Sequence, residues 1–192
     1  MLTAVKKLIT GLLAFVVLFA ASLWATSLAI EPEPVGESRA PDPVEHPGAV
    51  VQVYGADVWG IRGHFAIHTW VATKAENEAE YTIHQVIGWR ARRGRPVLAE
   101  SRGNPARPWF GSPAVLLHDE RGPEAQGLVE QVRAAVQAYP FANEYKMWPG
   151  PNSNSFVAWI GLHVPSLDLE LPVKAIGQAW MENAYPELVS PR

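Results

Sequence analysis

Chemistry in this chain rests on oxygen and imidazole, because its 192 residues include six histidines and no cysteine. The lack of thiols removes disulfides, thiolate metal cages, a cysteine nucleophile and a lipoprotein attachment site together. Two histidines, His68 and His84, fall in stretches of strand character and lie an even number of positions apart. A hairpin turning near Asn77 then puts both side chains on one sheet face, opposed or one pair diagonal. Farther along, Asn152-Ser153-Asn154-Ser155 precedes an apolar run from Phe156 to Leu162, the pattern of a helix start. Free N–H groups and the positive end of the helix dipole at Ser153 and Asn154 would suit an oxyanion. Ser153 and Ser155 also have a plain backbone reason to be there, as capping residues. His64 and His68 have the spacing of a metal-binding pair, but four residues of strand span about 13 Å, too far for one ion. Phe65 also stands where HExxH has its glutamate, so neither a metal site nor a cofactor is expected. His118 and His163 read as residues at element ends.

The elements that must position these side chains can be read from periodicity. Residues 49–54, AVVQVY, are β-branched and apolar, and residues 64–73 place Phe65, Ile67 and Val71 on one face at period two. Glu76, Asn77 and Glu78 form a polar turn, after which Tyr81 to Trp89 returns as a strand. A second turn at Arg93-Gly94 leads into Pro96 to Ser101. The charge run RARRGR at residues 90–95 could hold an anionic lipid head group but reads first as a solvated turn. Gly122-Pro123 opens a helix in which Leu128, Val129, Val132, Val136 and Tyr139 recur at helical spacing, and Pro140 closes it. Short helices follow within 149–162 and after Pro172. The fold class expected is α+β, an antiparallel β-meander with helices packed on one face.

Ahead of this domain, Leu8 to Ile30 carries no charge for 23 residues, about 35 Å as a helix and enough to cross a bilayer core of roughly 30 Å. Lys6 and Lys7 precede the segment and Glu31 and Glu33 follow it, so the positive-inside bias leaves the N-terminus in the cytoplasm and exports the rest. A single N-terminal transmembrane helix in the inner membrane, with the domain on its periplasmic or outer side, is the first reading. A cleaved signal peptide is the second, since Ser27 and Ala29 precede Ile30. Residues 31–48, with five prolines and a net charge of −4, read as an extended linker rather than a proline-rich recognition motif. The chain thus divides into residues 1–30, 31–48 and a globular domain at 49–192. The overall charge of −3 leaves no basic patch that asks for nucleic acid.

The strings VQVYGADVWGIRGHFAIHTWVATK, VIGWRARRG, LLHDERGPEA, YPFANEYKMWPGPNSNSF and LPVKAIGQAW resemble, in that order, the bacterial domain-of-unknown-function family DUF3750. That resemblance implies an N-terminal membrane segment and carries no established activity. A more distant similarity is to circularly permuted NlpC/P60 and papain-like amidases. There a histidine on an early strand precedes a polar partner on the next, and the nucleophile opens a later helix. By that likeness Ser153 would be the nucleophile, standing where the family has cysteine, His68 its base and His84 the group orienting the base. Asn152, Asn154, Trp70 and Trp148 would line the substrate site. A serine hydroxyl stays protonated where a thiol would ionise, so such a site depends wholly on its base.

Tryptophan supports a different class of function. Trp109 in ARPWFG and Trp148 in KMWPGPN sit in proline-rich loops where their rings can present stacking faces to a cell-wall glycan or peptide. The sequence therefore carries two expectations. One is a membrane-anchored envelope module that binds or supports structure; the other is a serine-type amidase or peptidase.

Overall fold

The structure is a computed structural model that describes residue 10, residues 13–18 and residues 40–189. The chain separates into two units, Met1–Pro32 and Glu33–Arg192. In the first, residues 13–18 are helical. Among the described residues no helix is long and apolar enough to cross a membrane. Most of the apolar segment assigned to the anchor lies outside them.

The second unit is α+β, as expected. Five antiparallel strands, β1 (Val50–Asp57), β2 (Ile67–Lys74), β3 (Thr82–Val86), β4 (Leu98–Arg102) and β5 (Val115–Arg121), form one sheet in the order β4-β3-β2-β1-β5. The first four make the expected meander. β5 was not anticipated; it returns to the free edge of β1, so β1 is central, paired with β2 on one side and β5 on the other. Helices α1 (Pro123–Gln137), α2 (Ser153–His163) and α3 (Gln178–Ala184) follow.

The sheet has two buried faces, and alternation along each strand decides what each carries. Val51, Val53, Val71 and Val86 join Leu128, Val129 and Val132 of α1 and Phe156, Val157 and Ile160 of α2 in the larger core. Val50, Tyr54, Ala56, Trp70, Ala72, Ile83 and Leu116 face the other way, and this second core is closed by Ala106, Trp109 and Ala114 from the β4–β5 connection. Helices therefore cover one face and irregular chain the other. Helix α2 is buried along its first eight residues, Ser153 to Ile160, which fits a helix with apolar residues all round enclosed by neighbours.

Residues 40–48, read from sequence as linker, are attached to the domain. Lys74, fully buried, donates Nζ to the carbonyls of Pro47, Gly48 and Ala75, and Tyr81 Oη donates to Pro41 O at 3.0 Å. Asn77 N donates to Pro47 O at 2.8 Å. The chain thus enters at the end of the sheet where β1 begins, beside the turn at 75–81. At the opposite end, where β1 and β3 finish, four segments gather. They are the 3-10 turns Gly60–His64 and Gly88–Arg93, the tip of the β4–β5 connection around Trp109, and the loop 141–152. The last is tied in by Tyr145, whose ring occupies the space a side chain at Gly88 would need.

Candidate functional site

The register of the β2–β3 hairpin decides what His68 and His84 can do together. Val71 lies opposite His84, and Ala72 opposite Ile83. His84 therefore shares a face with Val71, Thr69 and Thr73, whereas His68 shares the other face with Trp70 and Ala72. The expectation that both project from one face is corrected. The hairpin is centred between Asn77 and Glu78 rather than on Asn77, and a half-residue shift of centre moves pairing by one residue and reverses every relative orientation.

On the helix-covered face, His84 Nδ1 lies 3.0 Å from Glu100 Oε1 on β4, and its Nε2 lies 3.1 Å from Thr73 Oγ1. Burial lowers its pKa, and the Glu100 carboxylate opposes that shift. Arg133 of α1 donates to Thr73 Oγ1 and, through both terminal nitrogens, to the Glu78 carboxylate at 3.0 and 2.7 Å. That pairing holds the Glu78 pKa below its ordinary value. Both His84 nitrogens are engaged in this helix-to-sheet network, and none of its bonds reaches His68.

The start of α2 is held at the other end of β2. Asn152 is its N-cap: Oδ1 accepts from Asn154 N (2.9 Å) and Ser155 N (3.1 Å), and Ser155 Oγ accepts in return from Asn152 N (3.3 Å), a capping box. Its Nδ2 donates to Met147 O and Ile176 O. Asn154 donates Nδ2 to Ile67 O and Ile176 O and accepts from Thr69 Oγ1 at 2.9 Å. Asn152 and Asn154, expected to line a substrate site, thus spend their amides stitching α2 to β2 and to the chain before α3. Ser153 is buried beside Thr69, which also contacts the Ser153 carbonyl at 3.4 Å. Since Thr69 and His68 are consecutive on a strand, the sheet stands between Ser153 and the His68 ring. The structure does not bring Ser153, His68 and His84 together.

Instead it assembles a column of rings on the loop-covered face. Tyr54 stacks on Trp70 (centroids 5.8 Å, 13°), Trp70 on His68 (5.8 Å, 29°), His68 on Trp109 (3.9 Å, 12°) and Trp109 on Trp89 (5.5 Å, 30°). Phe110 meets both Trp89 and Trp109 edge-on, at 5.3 and 5.2 Å. Exposure rises along the column from 0% at Tyr54 to 41% at Trp89 and 61% at Phe110. Trp70, expected at a site wall, is inside it, with Nε1 donating to Pro105 O at 3.0 Å. Trp148, the other expected wall, is 76% exposed in loop 141–152.

His68 sits at the middle of this column. Its Nε2 faces Gln85 Oε1 at 3.2 Å, so the neutral ring donates there and leaves Nδ1 as an acceptor with no partner among the described residues. Burial drives the pKa from 6.5 to about 4, against the Gln85 hydrogen bond, which raises it. The imidazole is therefore neutral near pH 7. The sequence reading had Trp109 as a stacking ring but missed Trp89 and Phe110 beside it, and Gln85 and Glu100 as partners of the two histidines. Both partners follow from strand parity once the register is known: Glu100 lies opposite His84, and Gln85 next along β3 turns to the His68 face.

Chemically, the column offers flat apolar faces and one neutral acceptor; its one hydroxyl, Tyr54 Oη, is buried and donates to Gln52 Oε1 at 2.8 Å. No curated protein and no solved structure matches the chain, so the likeness to NlpC/P60 amidases receives no support from that side. The family model described as "Protein of unknown function (DUF3750)" matches residues 48–180, which takes in all five strands, α1, α2 and the whole ring column. The chain belongs to the DUF3750 family.

Proposed function

We propose that this chain is a membrane-anchored module of the cell envelope that binds another envelope component through the ring-lined end of its sheet. Its apolar N-terminal segment would hold it in the inner membrane, with the domain on the outer side. The observation that carries the binding reading is the gradient along the column, which begins in the core at Tyr54 and ends in the exposed rings of Trp89 and Phe110. A stack anchored at one end is rigid, so its outer rings meet a ligand with little loss of side-chain freedom.

The serine amidase reading is weaker on geometry. A base must lie within about 3 Å of the proton it takes, or reach it through one water, and His68 points away from α2 across the sheet. Binding is tested by incubating purified full-length chain with fractionated membranes and wall sacculi. Retention on either fraction is expected, with loss in the Trp89→Ala/Phe110→Ala variant. Retention on neither would refute the reading. A fluorophosphonate probe that labelled the wild type and spared Ser153→Ala would return the hydrolase reading to first place. External protease on spheroplasts should remove the domain; a domain cut only after lysis would overturn the topology.

A further inference from the structure

The two ends of the sheet differ in charge and in exposed apolar surface. Residues 40–189 expose eleven large hydrophobic side chains, and nine of them lie in the segments gathered where β1 and β3 finish. Trp59, Ile61 and Phe65 flank or occupy the first 3-10 turn, Trp89 opens the second, and Phe110 sits beside it. Met147 and Trp148 come from loop 141–152, joined to the first turn by the Arg62 contact to Met147 Sδ. Val173 and Ile176 belong to the stretch before α3, pinned here by Ile67 N to Lys174 O and by Asn152 Nδ2 to Ile176 O.

The same segments, residues 58–66, 87–97, 108–114, 141–152 and 172–177, hold seven Arg or Lys and one acidic residue, Glu144. Lys174 is near Asp57 at 3.6 Å. Arg92 and Arg93, at the end of the second 3-10 turn, and Arg95 just after it make no ion pair among the described residues, and all three are exposed. At the opposite end the turn 75–81 carries Glu76, Glu78 and Glu80 and the entering strap Asp42 and Glu45, while the cations there are engaged: Arg133 pairs with Glu78 and Arg121 with Asp119, leaving Arg102 at the end of β4.

Large apolar side chains on several separate loop tips, interleaved with unpaired arginines, match the two layers of a lipid interface. Trp and Phe rings sit at head-group depth, aliphatic tips reach the acyl boundary, and guanidinium groups remain at the phosphates. A second copy of the chain fits poorly, because a two-fold contact sets a patch against itself and would bring one net positive surface against another. We propose that this end docks on an anionic lipid surface, with the acidic end, where the chain enters, turned away from it. The inference rests on the binding reading above and names its partner.

The test uses the full chain, its N-terminal segment loaded into a zwitterionic nanodisc and its C-terminus tagged for capture on beads. Free vesicles of phosphatidylcholine, with or without one third phosphatidylglycerol, are offered beside wall sacculi. The expected result is capture of the anionic vesicles alone, reversed by salt. Each arginine near the surface contributes about fivefold, so Arg92→Gln/Arg93→Gln should weaken capture by about 25-fold. Ile61→Ala/Trp148→Ala should weaken it at every salt concentration, since the apolar part is not screened. The salt titration on unaltered protein needs no variant to fold. Equal capture of both vesicle types would overturn the inference, as would retention on sacculi alone, which leaves the binding reading standing. Retention on nothing would end both. A dimer in sedimentation that these substitutions dissolve would also overturn it, by giving the surface to a second copy.

Discussion

Lowering the pH should destabilise this domain, and His68 should carry a share of the loss that one substitution can isolate. Its imidazole is 6% exposed under Trp109, and burial takes its pKa from 6.5 to about 4 in the folded state. In the unfolded chain the ring takes up a proton below its ordinary value, while in the folded chain it resists. Stability contributed by the neutral ring is therefore full above about pH 6.5 and is lost as pH falls towards the folded value. Integrating the two titrations between about pH 7 and about pH 4.5 gives a loss of roughly 2 kcal/mol from this group alone. Against a total of about 5–15 kcal/mol for a domain of this kind, that is a large fraction. The measurement is urea unfolding of the wild type and of His68→Gln at both pH values. The variant starts less stable, but the quantity of interest is how much each protein loses on acidification. Other titrating groups cancel in that comparison, and the wild type should lose roughly 2 kcal/mol more. Equal losses, or an NMR titration placing the ring near its ordinary value, would show that water reaches the imidazole and that the Trp109 stack does not seal it.

Four further outcomes follow from the structure. Asn152→Ala removes the N-cap of α2 and the bonds to Met147 and Ile176, and should cost about 2 kcal/mol or more. Ser153→Ala loses no hydroxyl bond seen here and should cost under about 1 kcal/mol; chemical denaturation of the pair checks both. Replacing Lys74 with Met strands the carbonyls of Pro47, Gly48 and Ala75, so a loss of about 1–3 kcal/mol is expected, with new proteolytic cuts between residues 40 and 48. Uncut chain would mean the strap is held by other contacts. Gly88→Ala would put a methyl 2.5 Å from the Tyr145 ring, pushing loop 141–152 outward at a cost of about 1–3 kcal/mol. An unchanged melting temperature would show that the loop is not seated on that turn.

Much of the architecture is legible in the sequence because the governing signals are local. Strands β1 to β4 announce themselves by β-branched residues between polar turns, and α1 by its Gly-Pro start and an apolar stripe ending at Pro140. β5 escapes because His118, Asp119, Glu120 and Arg121 crowd its end; an edge strand tolerates charges that a central one would not. The site was harder to read for a different reason. Whether His68 and His84 share a face depends on the parity of a single register, and the polar stretch between Lys74 and Tyr81 does not state where the turn is centred. The capping signal at Asn152-Ser153 was genuine, but only tertiary contacts show that its amides are spent on β2 and the chain before α3. The ring column was beyond reach from sequence, since its members come from β1, β2, the turn after β3 and the β4–β5 connection, and only the fold sets them in line.

The central position of β1 has a mechanical meaning for a chain read as tethered through its N-terminus. Tension arriving along residues 40–49 enters the strand that pairs on both sides, Val50 with Lys74 of β2 and with Arg121 of β5. If the far end of the sheet is held, the pull runs parallel to the strands and crosswise to their hydrogen bonds. Both ladders then share the force at once instead of parting bond by bond. A domain hung this way resists being drawn out of shape by movement between the surfaces it joins, and its first point of yield is the strap at Lys74, outside the sheet.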